Sequence, residues 1–305
     1  MVKMHVVILN WNGAEDTIEC LDSLLVQSNV SLECIVVDNC SSDDSVRRIR
    51  ERFPLVHMIE NKENLGFPAG MNVGIRFALS HGAKYVLLLN NDTIAMPGML
   101  LNLLSSVSHG VGFVAPAIFY AQQPSEIWSV GGKIHPIFLE MAATTRSTPV
   151  LPSRPVERDF VAGCAMLVQA EIFQEVGLLD ERFFPGYYED LDFCLRIRRR
   201  GYRIQIIPQA HLLHKVSRAS GGQYSSRVYF LMARNSAYYF RKHMRLWQSP
   251  FIIFYRLLSA LKTSVRLIWK HDFQSLSAYW IGFVNGWTNL LAKRSEKFIA
   301  YYKKG

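Results

Sequence analysis

Strand-like and helix-like segments alternate through the first 120 residues of this 305-residue chain. Apolar runs typical of strands lie at 5–11, 32–39, 56–64, 85–93 and 111–120. The segments between them have the periodicity and the capping residues of helices. Such an alternation predicts an α/β fold with a Rossmann-like, mostly parallel sheet flanked by helices.

The pattern is looser after Tyr120. Proline and glycine are frequent in 121–158, which predicts an irregular region or a small hairpin. A strand followed by a helix is then predicted over 159–177, a loop feeding a helix over 182–202, and a strand over 203–214. The chain up to residue 224 is therefore predicted to form one α/β domain.

Residues 225–305 differ from the rest because they are helical in pattern, aromatic and basic. The net charge of +9 comes entirely from this segment. Lys262, Arg266 and Lys270 recur every four residues on an otherwise apolar helix, which is typical of a helix lying on a membrane surface. Residues 273–292 lack charge, but their Ser, Asn and Gln side chains argue against a membrane-spanning helix. The alternative is a helical subdomain packed on the main domain or on a second subunit in a homodimer.

Polar side chains follow each of the first four predicted strands. Asn10 and Asn12 follow the first strand, Asp38 the second, Asn64 the third, and Asn90-Asn91-Asp92 the fourth. In an open parallel sheet, ligands bind beyond the carboxyl ends of the strands. The series therefore predicts a binding site at that edge of the sheet.

Two common nucleotide-binding motifs are missing from the sequence. Neither GxGxxG after the first strand nor GxxxxGK[ST] occurs, which disfavours a dehydrogenase and a P-loop ATPase. A nucleotide bound without such a glycine loop needs another means of neutralising its phosphates. A divalent metal at Asp92 would serve, because Mg²⁺ takes few protein carboxylates together with substrate phosphates.

Several motifs together resemble the inverting family 2 glycosyltransferases of GT-A fold, and in particular the bacterial rhamnosyltransferase-like enzymes that build surface polysaccharides. The resemblance spans about residues 4–240 and is carried by VVILNWNG, CIVVDNCSSDDS, NKENLGFPAGMNVGI, YVLLLNNDT, GCAMLVQAEIFQEVGLLDERFFPGYYEDLDFCLRIRRRGY and IIPQAHLLH.

The resemblance implies a set of residues for the nucleotide-sugar donor. Asp38 corresponds to the acidic residue at the pyrimidine base, and Asn10 and Asn12 to the strand end around the nucleotide. The remaining members lie near the ribose, the sugar and the diphosphate; they are Asn64, Gly70, Asn72 and Asn91.

The resemblance also implies a divalent cofactor, Mg²⁺ or Mn²⁺. The segment from Asn90 to Asp92 lies at the family's DxD position, with Asp92 as the metal ligand. Asn90 replaces the first Asp of that motif, so the site has one charged ligand fewer. His214 corresponds to a late histidine of the metal shell, and the alternative is a histidine that only ends a strand. His211 is the weaker candidate.

The segment YYEDLDF groups three carboxylates, and mutual repulsion or burial there would raise a pKa as a general base requires. The resemblance implies that Asp190 is the base. Tyr188 and Glu189 are then expected to contact the acceptor, and Asp192 to brace the following helix. For Arg234 two roles stay open, contact with a diphosphate and support of the scaffold.

The function implied is inverting transfer of a sugar from dTDP-rhamnose or a UDP-hexose to a glycan or polyprenyl-linked acceptor in cell-surface polysaccharide synthesis. A catalytic domain is expected over 1–224, with its nucleotide-sugar half over about 1–120 and its acceptor half over about 121–224; a helical extension is expected over 225–305. The start of the sequence has no pattern of a secretory signal, and the five cysteines lack metal-site spacing. A cytoplasmic protein, peripheral on the inner face of the cell membrane, is therefore expected.

Three alternatives remain from the sequence. A nucleotidyltransferase would need a glycine-rich basic loop where this chain has the acidic NWNGAEDTIEC. Nucleic-acid binding through the basic tail would be strongly salt dependent, and no nucleic-acid motif occurs, so nucleic acid is not expected as a partner. A non-catalytic nucleotide-sugar-binding protein is the third, because the DxD position is weakened.

Overall fold

The computed structural model describes residues 3–27, 30–143, 151–216, 225–288, 298–300 and 302. All the strands and helices predicted up to residue 120 are present, with ends that differ by a few residues. In chain order they are β1 (Lys3–Asn10), α1 (Ala14–Leu25), β2 (Ser31–Asp38), α2 (Ser45–Arg52), β3 (His57–Glu60), α3 (Gly66–Ser80), β4 (Tyr85–Asn90), β5 (Thr93–Ala95), α4 (Met99–Ser106) and β6 (Val111–Tyr120).

The second half of the chain begins with short strands and ends with long helices. Its elements are β7 (Ile127–Ser129), β8 (Gly132–Ile134), β9 (Met141–Ala143), β10 (Val156–Arg158), β11 (Ala165–Gln169), α5 (Ala170–Val176), α6 (Glu189–Arg199), β12 (Arg203–His214), α7 (Ser226–His243), α8 (Ser249–Trp269) and α9 (Phe273–Thr288). Strands β8 and β9 pair antiparallel, which confirms the small hairpin predicted after Tyr120.

The main sheet is mixed but mostly parallel, as predicted. Among the described residues its order is β10-β12-β6-β11-β4-β1-β2-β3, with β5 on β12 and β7 on β6. Strands β1 to β4 run parallel, and β6 runs parallel to β12. Strand β11 is antiparallel to both of its neighbours, β4 and β6. The chain between β6 and β11 contains no described helical crossover, which a parallel arrangement would require.

Strand β11 enters the sheet where β4 leaves it. Ala165 lies opposite Leu89, and the backbone N–H of Asn90 donates to the carbonyl of Cys164 at 2.9 Å. The residues just before β11 therefore lie beside the polar end of β4.

Helices cover both faces of the sheet, and this explains the continuous apolar run of β4. Leu87 and Leu89 pack in the core formed with α1 and α4, whereas Val86 and Leu88 pack in the core formed with α3, α5 and α6. All four are fully buried. A strand buried on both faces is apolar at every position rather than at alternate ones.

Helices α7 and α9 pack closely on each other and on the main domain. Tyr239 and Phe240 of α7 belong to the same core as the sheet. A Cβ at Gly282 or Gly286 of α9 would lie 2.3 Å and 2.4 Å from backbone carbonyl oxygens of α7, so only glycine permits this approach. The predicted domain boundary at residue 224 falls in 217–224, outside the described residues.

Helix α8 has one face toward the protein and one toward solvent. Its buried residues recur every three or four positions, from Ile252 to Leu267. What we call the outer face of α8 consists of exposed apolar residues, namely Phe251, Phe254, Leu257, Leu258, Leu261, Val265 and Ile268. In the described part of the chain, none of the helices has both the length and the apolar character that crossing a membrane requires.

Candidate active site

A cleft of about 810 Å³ opens at the carboxyl ends of the β1 and β4 strands. Its other walls come from the loop before α6, from β12 and from α7 and α8. It brings together predicted site residues from both halves of the chain, namely Asn64, Asn91, Asp92, Tyr188, Glu189, Asp190 and His214.

Asp92 and His214 form the polar pair on the β4 side of the cleft. Strand β5 pairs with the end of β12, with Thr93 opposite His214, and this pairing brings the two side chains together. Asp92 Oδ1 lies 3.2 Å from His214 Nε2. Burial would raise the pKa of Asp92, but the adjacent imidazole and the charge of Lys215 lower it below its usual value.

The polar atoms around this pair suit a metal ion. Asn90 Oδ1 and His214 Nδ1 are buried without a hydrogen-bond partner, and the buried Asp92 Oδ1 makes no side-chain hydrogen bond besides its contact with His214. Within the described ranges no cluster of three or more His, Cys, Asp or Glu residues could hold a metal. Asp92 and His214 are two candidate ligands, and a cation such as Mg²⁺ needs few protein ligands when substrate or water completes its shell. His211, the weaker candidate, lies close to the Pro208 carbonyl instead, at 2.8 Å from Nε2.

Asp190 lies in the first turn of α6, and both of its carboxylate oxygens accept backbone hydrogen bonds. Gly163 N–H donates to Oδ2 at 2.9 Å, and Leu191 N–H donates to Oδ1 at 2.7 Å. Burial raises the pKa of Asp190, and these bonds offset the rise only in part. The carboxylate is thus fixed in direction and more basic than an exposed aspartate.

Glu189 and Asp192 flank Asp190 with different environments. Glu189 is 7% exposed, and its Oε2 has no hydrogen-bond partner. Burial and the neighbouring Asp190 carboxylate raise the pKa of Glu189 well above its usual value. Asp192 instead accepts from Arg196 at 2.8 Å and from Lys242 at 2.5 Å, so it connects α6 to α7.

The two sides of the cleft meet at Gly163 and Cys164. The Cys164 carbonyl accepts a hydrogen bond from Asn90 at the end of β4, and the Gly163 N–H donates to the Asp190 carboxylate. A Cβ at Gly163 would lie 2.9 Å from the Asp190 Cβ, so a side chain there would displace the carboxylate. Gly163 was not among the predicted site residues, and the glycine within GCAM was the available signal.

Two of the predicted donor-binding residues form a buried hydrogen-bonded pair. Asn10 Nδ2 donates to Asp38 Oδ1 at 2.7 Å. Ser41 donates to the same carboxylate through its hydroxyl, at 2.6 Å, and through its backbone N–H, at 2.9 Å. This network joins the ends of β1 and β2. Contact of Asp38 with a nucleotide base remains a prediction.

The other predicted donor-binding residues are distributed around this network. Asn12 Oδ1 accepts from Ser42 N–H at 2.8 Å. Asn64 Oδ1 accepts from Asn39 Nδ2 at 2.7 Å.

The two predicted residues of α3 have packing contacts. A Cβ at Gly70 would lie 2.5 Å from Leu9, so this glycine lets α3 approach β1. Asn72 is buried in α3, away from the cleft lining, and its side chain bonds to both backbone groups of Leu179. Their contacts with a donor remain predictions.

The loop before α6 is held by two adjacent residues of α7. Asn235 Nδ2 donates to the carbonyls of Gly186 at 2.7 Å and Tyr187 at 3.1 Å. Arg234 donates to the carbonyl of Phe184. Of the two roles left open for Arg234, the structure favours support of the scaffold.

Tyr187 and Tyr188 both have positive φ, near 75°, and turn the chain from that loop into α6. Burial raises the pKa of Tyr188 to about 12, so its phenol is neutral at neutral pH. Its ring packs 5.6 Å from that of Tyr239, measured between centroids. Tyr188 lines the cleft immediately before Glu189.

The chain matches the family model of glycosyl transferase family 2 over residues 5–177. The dTDP-rhamnosyl transferase RfbF of Shigella flexneri is 23% identical to it over 215 residues, which cover 70% of this chain and 69% of the relative. The N-acetylglucosaminyl-diphospho-decaprenol L-rhamnosyltransferase of Mycobacterium tuberculosis is 26% identical over 272 residues, which cover 81% of this chain and 87% of the relative. The matches confirm the predicted rhamnosyltransferase-like character and favour glycosyl transfer over the alternatives weighed from the sequence.

The fold is similar to that of a solved structure. The crystal structure of GalNAc-T7 with UDP, GalNAc and Mn²⁺ superposes with a TM-score of 0.62 at 16% identity. The match covers 79% of this chain and half the length of GalNAc-T7. The likeness confirms the predicted GT-A architecture. Because the family model covers more than half of the chain, this protein belongs to glycosyl transferase family 2.

Proposed function

We propose that this enzyme transfers a sugar, with inversion, from a nucleoside-diphosphate sugar to a hydroxyl of a lipid-linked glycan. The names of the relatives support dTDP-rhamnose as donor and a diphospho-polyprenol-linked sugar as acceptor. The observation that carries the proposal is the shared cleft, in which the pair Asp92–His214 and the carboxylate of Asp190 face one cavity.

The β4 side of the cleft binds the donor. Asp92 and His214 are the residues that would hold a divalent cation, and the Mn²⁺ in GalNAc-T7 supports such a cofactor. When bound, that cation supplies Lewis-acid stabilisation of negative charge on the leaving diphosphate. Asn91 and Asn64, which line the same side, offer amides to the donor's sugar and phosphate groups.

Asp190 accepts the proton of the acceptor hydroxyl. The backbone N–H groups of Gly163 and Leu191 fix the orientation of its carboxylate. A free lone pair can therefore accept the proton of the acceptor hydroxyl without rotation of the side chain. Burial keeps its pKa raised, which strengthens it as a base. Glu189 and Tyr188, which line the cleft next to Asp190, position the acceptor sugar.

The outer face of α8 rests on a membrane surface. Its seven exposed apolar residues form one stripe, and the exposed Lys262 and Lys270 border that stripe. Apolar contact with the acyl boundary and attraction of the cations to anionic lipid act together in such helices. The catalytic domain over 1–224 would then work at the inner face of the cell membrane, where a lipid-linked acceptor is embedded.

Donor turnover with and without metal tests the proposal. Purified protein is incubated with a panel of nucleotide sugars, in Mn²⁺, in Mg²⁺ and in EDTA, with a diphospho-lipid-linked sugar as acceptor. We expect turnover of one donor class that EDTA abolishes. Asp190→Asn should abolish turnover but spare nucleotide binding, and Asp92→Asn should weaken both. Turnover by Asp190→Asn at the wild-type rate would contradict the proposal.

A further inference from the structure

Helix α8 forms one wall of the cleft. The polar side chains of this wall have no role in the proposed reaction as described so far. Four polar residues of α8 line the cleft, namely Arg256, Ser259, Thr263 and Arg266. Their spacing of three, four and three residues places them on one side of the helix. That side differs from the outer face, so the same helix offers cations to the cleft and apolar groups to its surroundings.

Arg256 is a buried cation with an unused donor. It is 7% exposed, and its Nε has no hydrogen-bond partner. Its Nη2 donates to Ser236 Oγ at 2.8 Å. The carboxylate of Glu140 is 3.7 Å from Nη1, beyond hydrogen-bonding distance. The guanidinium carbon also lies 5.0 Å from the centre of the Phe240 ring. The charge of Arg256 is thus balanced by one loosely spaced carboxylate, and the Nε–H group is left to pair with an anion that enters the cleft.

Arg266 continues the cationic wall to the edge of the cleft. Its guanidinium carbon lies 5.9 Å from the centre of the Tyr229 ring, and its Nη2 lies 3.4 Å from the Tyr229 hydroxyl. Unlike Arg256, it is exposed to solvent. The two arginines therefore mark a path from the surface into the cleft.

The arginines lie on the acceptor side of the site. Ser236, the partner of Arg256, belongs to α7, the helix that also holds the loop before α6. The charge of Arg256 acts on the phenol of Tyr188, two residues before Asp190. The predicted donor residues belong to other elements, since Asn64 lies in the loop between β3 and α3, and Asn91 and Asp92 lie between β4 and β5.

We propose that Arg256 and Arg266 bind the diphosphate of the lipid-linked acceptor. The inference rests on the proposed function and adds a subsite to it. Guanidinium groups pair with phosphate oxygens through two parallel hydrogen bonds, which suits a diphosphate better than a neutral glycan. With the outer face of α8 on the membrane, the lipid stays at that face while its diphosphate reaches the inner side of the helix.

Binding of farnesyl diphosphate to the full-length protein tests the subsite. Titration calorimetry is done with Mn²⁺ and saturating UDP or dTDP, so that donor-diphosphate sites are filled. We expect Arg256→Gln to weaken binding about tenfold or more, as loss of a charge-assisted pair requires. Affinity for the nucleotide should stay unchanged. The control Lys84→Gln removes an exposed cation at the other end of β4 and should bind like wild type.

Thermal unfolding shows whether Arg256→Gln folds. If it does not, Arg266→Gln carries the test, because an exposed arginine can be replaced without disturbing the core. Equal affinity of wild type and both variants for farnesyl diphosphate would overturn the inference, and so would weaker nucleotide binding in place of weaker probe binding.

Vesicles of anionic lipid separate the acceptor diphosphate from lipid headgroups as the source of the anion. Arg256→Gln should bind such vesicles like wild type; if it loses vesicle binding but keeps farnesyl diphosphate, the anion is a headgroup and the inference fails. Donor turnover is measured separately. Arginine-dependent probe binding in a protein without turnover would refute the proposed function and not the anion site.

Discussion

Gly163 N–H donates to Oδ2 of Asp190 at 2.9 Å, across 27 residues of sequence. The next residue, Cys164, accepts from the end of β4, two residues before Asp92. The residue that holds the proposed base is therefore next to the residue that holds the end of β4, two residues before the proposed metal ligand. Because Gly163 and Cys164 are consecutive, a shift of this segment would change the geometry on both sides of the cleft.

Substitution of Gly163 by alanine should impair catalysis and spare donor binding. The added Cβ would lie 2.9 Å from the Asp190 Cβ, so α6 or the carboxylate must shift. Since small misplacements of a catalytic group are costly, we expect kcat to fall by about tenfold to a hundredfold. Steady-state kinetics and nucleotide titration measure the two effects. Unchanged kcat in a folded variant would show that Asp190 need not be held in this way.

The activity should fall with decreasing pH as Asp190 takes up a proton. Only the deprotonated carboxylate is a base, and burial raises its pKa, so the acidic limb of the kcat profile lies above the titration of an exposed aspartate. Burial and the neighbouring Asp190 carboxylate raise the pKa of Glu189 well above its usual value, so we expect Glu189 not to set this limb. Glu189→Gln should therefore leave the position of the limb unchanged while it raises the KM for the acceptor. A limb displaced by a full pH unit in this variant would contradict the assignment.

Replacement of Asn90 by aspartate should strengthen metal activation. The Oδ1 of Asn90 is buried beside Asp92 without a partner, so a carboxylate there adds a charged ligand. We expect the Mn²⁺ concentration for half-maximal activity to fall on the order of tenfold, since ligand charge tunes cation affinity. In EDTA the variant should melt below wild type, because a buried carboxylate without a cation is unfavourable. Wild-type behaviour in both assays would argue against a metal at this position.

Asn235→Ala should lower both the stability of the protein and its kcat. The side chain donates to the carbonyls of Gly186 and Tyr187, and its loss leaves buried acceptors unpaired. We expect a loss of about 1–3 kcal/mol in the free energy of unfolding, with lower kcat as the loop before α6 loosens. Urea unfolding measures the loss of stability, and steady-state kinetics measure kcat. Asn102→Ala, which removes one hydrogen bond to Gln209 at the surface, should cost less and leave kcat unchanged.

Polar substitutions on the outer face of α8 should weaken membrane association. Phe254 and Leu261 are 65% and 60% exposed, and serine at both positions removes apolar contact without emptying the core. Partition onto anionic vesicles should fall by about tenfold or more, given the transfer free energy of two such side chains. Leu55→Ser is the matched control, because Leu55 is 94% exposed but remote from α8 in sequence and lies outside the cleft lining. Equal partition of all three proteins would exclude this face as the contact.

The sequence was sufficient to predict the elements, the family and the polar edge of the sheet. Hydrophobic periodicity and turn residues are local signals, and they identified β1, β2, β4 and β12 within a few residues. The strand direction of β11 was not recoverable, because an apolar run has the same pattern in either direction. The partners of Asp190 were not recoverable either, since Gly163 and Leu191 bind it through backbone atoms that leave no trace in residue type.

The wall of α8 was missed for a different reason. Arg266 was interpreted as part of a surface stripe, and Arg256 was not singled out. Helix α8 has exposed apolar residues on one side and polar cleft-lining residues on another, and both sets recur every three or four positions. In the sequence the apolar pattern is the stronger one, so the polar pattern is not recognised. Only the packing of α8 against α7 and α9 shows which side of α8 faces the cleft and which side faces solvent.

The reversed direction of β11 has a consequence for how this enzyme could acquire a new sugar specificity. Strand β11 begins where β4 ends, so an insertion in either strand would shift Gly163 and Asp190 relative to Asp92. Diversification of the donor should therefore proceed by changes in side-chain volume around Tyr187 and Asn91, which line the cleft, and not by insertions within the sheet.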